Sequence, residues 1–133
     1  MTYTIDQVRN DLKTIAKKNY DLGVLFDTKR RYEARLTYLA DGEKERADVA
    51  KSLKDIVKKI DGAIDTLMRL ESIYMGKILA LPPLYRSILL DKYINGKPRW
   101  KVAEKANYSD DNCATLLRKA AKALVKELNK AAD

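Results

Sequence analysis

Residues 99–118, RWKVAEKANYSDDNCATLLR, carry the reading on which the fold turns. With Arg99 as the first place of a twenty-residue helix-turn-helix window, Val102 and Ala103 fall fourth and fifth, Ala106 eighth and Asn107 ninth. Cys113 and Leu116 fall fifteenth and eighteenth. A small residue at Ala103 lets two helices approach closely near their crossing. The ninth place needs a left-handed backbone, for which Asn is the usual choice after Gly. Ser109 is a strong N-cap, and Asp110 and Asp111 in the following first turn complement the helix dipole. Val102, Ala106, Cys113 and Leu116 are expected to fill the small core between the two helices.

Upstream, Pro98 opens the first of these helices, where a missing N–H costs little. The preceding stretch LYRSILLDKYI, residues 84–94, has Leu84 or Tyr85, Ile88, Leu89 and Tyr93 on one apolar face and stops at Asn95-Gly96. A three-helix unit is therefore expected, its last helix running from about Ser109 to Asn129.

Farther out the periodicity stays helical, and no sustained apolar/polar alternation reads as strand. In residues 43–79, Val49, Leu53, Ile56, Ile60, Ala63, Leu67, Leu70 and Tyr74 alternate spacings of four and three, a heptad seam. Val57, Ile64, Met68 and Ile78 widen it toward a further partner surface, either the C-terminal unit or a second copy in a homodimer. In residues 5–40 a looser stripe runs through Ile5, Val8, Leu12, Ile15, Leu22, Leu25 or Phe26, Tyr32, Leu36 and Leu39, with a kink or register shift expected near Asn19 and Gly23. Thr4 caps its start. Asp41-Gly42 and Pro82-Pro83 punctuate the chain. The expected fold is all-α: a long antiparallel, coiled-coil-like hairpin over residues 1–79, then a three-helix helix-turn-helix domain over residues 80–133.

The composition limits function. Lys and Arg number 27 against 19 Asp and Glu, a net charge of +8, and histidine is absent. Residues 1–40 carry +3, residues 41–79 zero and residues 80–133 +5, so the excess lies with the helix-turn-helix unit, as a polyanion partner would require. Without histidine there is no Ser–His–Asp or Cys–His relay and no His-bearing zinc site. A single cysteine allows neither an internal disulfide nor a Cys-rich metal site. No enzymatic activity, cofactor or metal is expected. No apolar run approaches the roughly 20 residues that span a bilayer, and MTYTIDQVRNDLK lacks the features of a secretory signal. A cytoplasmic, nucleoid-associated location is expected.

The stretch ALPPLYRSILLDKYINGKPRWKVAEKANYSDDNCATLLRKAAKALVKEL, residues 80–128, resembles the DNA-binding region four of bacterial sigma factors. The shared features are a Leu-Pro opening, an Arg on a helix ending in Tyr, a Gly-initiated turn, a short helix containing Val-Ala, and a Ser-capped helix ending in Ala and Leu. Together with the helical N-terminal segment, the chain is similar in architecture to small phage and prophage regulators, the ArpU and RinA type of late transcriptional activators. The resemblance implies sequence-specific binding to double-stranded promoter DNA, with RNA polymerase a candidate partner.

It places base readout on the last helix. Asp111 can accept from cytosine N4, Asn112 can pair with adenine, Thr115 can meet a thymine methyl, and Arg118 lies one turn on. Asp110 and Asp111 have the alternative of serving only as cap residues. The resemblance family commonly has Arg where Asp110 stands, and a basic residue where Ala114 stands. Lys97, Arg99, Lys101 and Lys105 on or before the first motif helix, and Lys119 and Lys122 on the second, are phosphate-contact candidates. Cys113 is expected in the core and Trp100 as packing between this unit and the hairpin. The Lys29-Arg30-Arg31 run is expected to be a solvated face. The alternative function is a protein-interaction module that grips RNA polymerase or another host protein through the helix-turn-helix and coiled-coil surfaces.

Overall fold

The computed structural model describes residues 2–40 and 42–132, and within them the chain is all-helical, with no strand. Helix α1 spans Ile5–Leu36 and α2 spans Lys44–Leu79. Helix α3, Pro83–Leu89, runs on into a π-helical turn, Leu90–Ile94. Helices α4, Arg99–Ala106, and α5, Asp110–Ala132, complete the order. None of the described helices is long and apolar enough to cross a membrane.

The chain forms two compact units, one of Met1–Lys17 with Arg69–Asp133 and one of Lys18–Met68. This partition cuts across α1 and α2 rather than following the Pro82-Pro83 break.

In the unit Lys18–Met68 the two long helices run antiparallel. Leu25 and Asp21 share a cleft with Lys59 and Ala63, while Arg35 near the end of α1 pairs with Glu45 near the start of α2. Arg46 fastens the connection: its Nη1 donates to the carbonyls of Leu36, the last residue of α1, at 2.7 Å and of Leu39, in the turn that follows, at 2.9 Å. Gly42 takes φ 87°, a left-handed value that favours glycine. Asp41, the other half of the expected turn, lies outside the described residues. The heptad seam is buried at Val49, Ile56, Ile60, Ala63 and Leu67, whereas Leu53 is half-buried. Val57 and Met68, on the widened side, are exposed. Helix α1 runs through Asn19 and Gly23 without interruption.

In the other unit, the first turns of α1 and the last turns of α2 join the three C-terminal helices. Val8, Leu12 and Ile15 of α1, Leu70, Tyr74 and Ile78 of α2, and Leu124 and Leu128 of α5 are all buried. Thr4 caps α1 by accepting from the Gln7 amide at 3.2 Å. Just before that cap, the Tyr3 amide donates to Asn129 Oδ1 at 2.7 Å, and Asn129 Nδ2 donates to the Tyr3 carbonyl at 3.0 Å. One side-chain amide thereby holds the backbone of Tyr3 to the end of α5. The Tyr74 ring meets Tyr3 edge-on, and its hydroxyl donates to Asp11. Burial, reinforced by that carboxylate, pushes the Tyr74 phenol far above its ordinary pKa, so it stays a neutral donor.

Candidate nucleic-acid interface

Helix α4 begins after Pro98, whose carbonyl accepts from the amides of Lys101 at 3.0 Å and Val102 at 3.2 Å. It ends where expected. Asn107 adopts φ 61° and ψ 40°, the Tyr108 amide bonds back to the Ala103 carbonyl at 2.9 Å, and the Asn107 amide bonds to Glu104 at 3.2 Å. These two bonds form a Schellman closure that satisfies the last carbonyls of α4. Two residues later, Ser109 Oγ accepts from the Asn112 amide at 3.2 Å and starts α5. The turn is therefore built from backbone demands met locally, and it sets α5 against α4 and α3.

The core beneath it departs from the expected register. Val102, Ala103 and Cys113 are buried, but Leu117 takes the buried place expected for Leu116, and Ala106 is half-buried. The reason lies in the length of α5. Cys113, Leu117, Ala120, Ala121, Leu124 and Leu128 form one continuous buried stripe, and burial along the whole helix sets its rotation. Burial pushes the Cys113 thiol above its ordinary pKa, and it remains a protonated core group.

Leu116 instead lies half-buried on the flank of α5, where it shares a shallow cleft of about 230 Å³ with Tyr108, Asn112, Thr115 and Lys119. Asp111, Asn112, Thr115, Arg118, Lys119 and Lys122 are all exposed and lie together on the outward side of α5. Thr115 donates its hydroxyl to the Asp111 carbonyl at 3.4 Å.

The cations around α4 have defined tasks within the unit. Arg99 donates from Nε to Asp110 Oδ1 at 3.0 Å and from Nη2 to Oδ2 at 2.6 Å. This bidentate pair ties the first residue of α4 to the first residue of α5. The Arg99 hydrogen bonds and charge hold the Asp110 carboxyl below the usual carboxylate range. Lys97 and Lys105 both approach Asp91, at 3.6 Å and 3.1 Å.

Asp91, in the π-helical turn, is a residue that sequence reasoning did not single out, and it is the one buried charged side chain among the described residues. Asn95 Nδ2 donates to it at 3.1 Å. Burial opposes its ionisation, but the Lys105 and Asn95 hydrogen bonds and the charges of Lys105 and Lys97 outweigh that cost and hold its carboxyl below the ordinary range. The π turn closes with the Asn95 amide on the Leu90 carbonyl at 2.8 Å, and Gly96 follows at φ 68°. Asp91 thus connects the end of that turn, the loop after it and α4.

Trp100 is not buried, contrary to the expectation that it packs. It is 57 % exposed on α4, with Lys101 Nζ 5.4 Å from its ring centroid. Its neighbours around a shallow surface cleft are Lys97, Lys101, Glu104 and Lys105, so the indole has no apolar surface to cover it there. Among the described residues no group of three or more thiols or carboxylates could hold a metal ion.

No known protein family, curated protein or solved structure matches the chain.

Proposed function

We propose that this protein is a sequence-specific DNA-binding transcription regulator of phage or prophage type that lays α5 in the major groove of double-stranded DNA. The observation that carries the reading is the turn at Asn107 and Ser109, which presents Asn112, Thr115, Arg118, Lys119 and Lys122 on one exposed side of α5. Amide, hydroxyl-methyl and guanidinium groups are the types that read base edges, and the lysines suit phosphates. The basic excess of residues 80–133 agrees with it. The resemblance of the same residues to sigma region four adds a promoter as the natural target, in the cytoplasm of a bacterial host.

Within this reading the ion pairs of α4 divide the cations. Arg99, Lys97 and Lys105 hold the fold through carboxylates, while Lys101, Lys119 and Lys122 carry the phosphate contacts. A salt titration of binding to promoter-region DNA fragments tests the proposal. Neutralising about four to six phosphates gives a log–log slope of roughly −4 to −5. Thr115→Ala relaxes base preference, whereas Lys122→Ala weakens all sequences about equally. Absence of binding to any fragment at low salt overturns the reading.

The second reading, a protein-interaction module, is favoured by Trp100. An exposed tryptophan beside Lys101 has the character of an interface anchor. Loss of association with RNA polymerase in Trp100→Ala, with DNA affinity unchanged, would assign that side of α4 to a protein partner.

A further inference from the structure

A second cleft, of about 260 Å³, opens on the other flank of α5 from the one beside Tyr108. Its walls bring together Arg9 and Lys13 from α1, Lys92 and Tyr93 from the π-helical turn, Arg99 from α4 and Arg118 from α5. No carboxylate lines it. Arg9 and Lys13 are one helical turn apart and so share a side of α1, next to the buried stripe of Val8, Leu12 and Ile15. Lys92 lies over the Tyr93 ring, 5.9 Å from its centroid. Five cations from four elements therefore converge on one concave surface.

Of these five, Arg99 is neutralised by Asp110, and elsewhere in the unit Lys97 and Lys105 share the carboxylate of Asp91. Arg9, Lys13, Lys92 and Arg118 have no acidic partner among the described residues. Four like charges held around a cleft repel one another unless an anion sits between them. We propose that this cleft seats a backbone phosphate of the DNA bound by α5, making the first turns of α1 part of the DNA interface. The proposal rests on the DNA-binding reading above.

The dimensions support this occupant. An α-helix with its side chains is about 10–12 Å across and the major groove is about 12 Å wide, so a helix seated there presses both flanks toward phosphate backbones. The flank bearing Arg118 is the one that this cleft borders. A phosphodiester offers two anionic oxygens, which a guanidinium can grip in bidentate fashion while ammonium groups add charge from other directions.

The test is the double substitution Arg9→Gln with Lys13→Gln, read by salt titration on DNA fragments that the wild-type protein binds. Gln keeps helix propensity close to that of Arg and Lys. The expected result is about tenfold weaker binding to every sequence at moderate salt and a log–log slope shallower by about 1. The DNA-free variant, melted at low salt, is expected to unfold at the same temperature as wild type or higher, because repulsion is relieved. An unchanged slope and affinity in the variant overturns the phosphate seat while leaving the role of α5 standing. A marked fall in melting temperature also overturns it, since the two cations would then be structural. Failure of the wild-type protein to bind any fragment removes the DNA reading itself, and this inference with it.

Discussion

Arg99 and Asp110 form a bidentate ion pair that joins the first residue of α4 to the first residue of α5, at 3.0 and 2.6 Å. A guanidinium gripping a carboxylate through two parallel bonds fixes orientation as well as distance. The pair thus locks the two helices of the motif at their facing starts. It also gives Asp110 a task that does not require a base, and it occupies the Arg99 guanidinium within the fold.

Asp110→Asn breaks the pair, removes one negative charge from the end of α5 proposed to enter the groove, and frees Arg99. The expected outcome is a lower melting temperature with tighter DNA binding, several-fold at low salt, and a steeper salt dependence. Weaker binding in this variant would mean that Asp110 itself contacts DNA.

Asp91→Asn leaves Lys97 and Lys105 without their carboxylate at the buried centre of the π turn. The expected cost is about 1–3 kcal/mol, measured by urea unfolding at neutral pH. The sign of the pH effect follows from the depressed Asp91 pKa in the folded protein. Its contribution is fully present above the ordinary carboxylate range and is lost as pH falls through the lowered value, beneath that range. The stability difference between wild type and variant should therefore narrow as acid is added.

The register of α5 is tested by two neighbouring leucines. Leu117→Ala removes a buried side chain and should cost about 2–5 kcal/mol. Leu116→Ala, on the half-buried flank, should cost about 1 kcal/mol or less and weaken DNA binding more than it weakens the fold. Reversal of this order in denaturant titrations would restore the motif-derived core.

Asn107 sits at φ 61° between the two helices. Asn107→Gly is expected to match or raise stability by up to about 1 kcal/mol, because Gly takes that backbone without a Cβ penalty. Asn107→Val should destabilise by about 1–2 kcal/mol or more, since a β-branched side chain is strained there. Thermal melts of the two variants provide the comparison.

The features readable from the sequence share a cause. Thr4, Asn107, Ser109 and the Asn95-Gly96 stop answer demands of the backbone within a few residues of themselves, and each acts in the structure as its type suggests. The seam of α2 was legible for a related reason, since periodicity is a property of one helix. The buried face of α5 was also present in the sequence, in the run Cys113, Leu117, Ala120, Leu124, Leu128, but a motif template covering only the first turns points to Leu116 instead.

What the sequence alone determined is the helical architecture and the turn that aims α5. Tertiary structure decided which cations are free. Asp91 pairs with both Lys97 and Lys105, Asp110 neutralises Arg99, and α1 delivers Arg9 and Lys13 beside Arg118 from more than a hundred residues away. Ion pairs depend on separation in space, and no spacing rule along the chain encodes it.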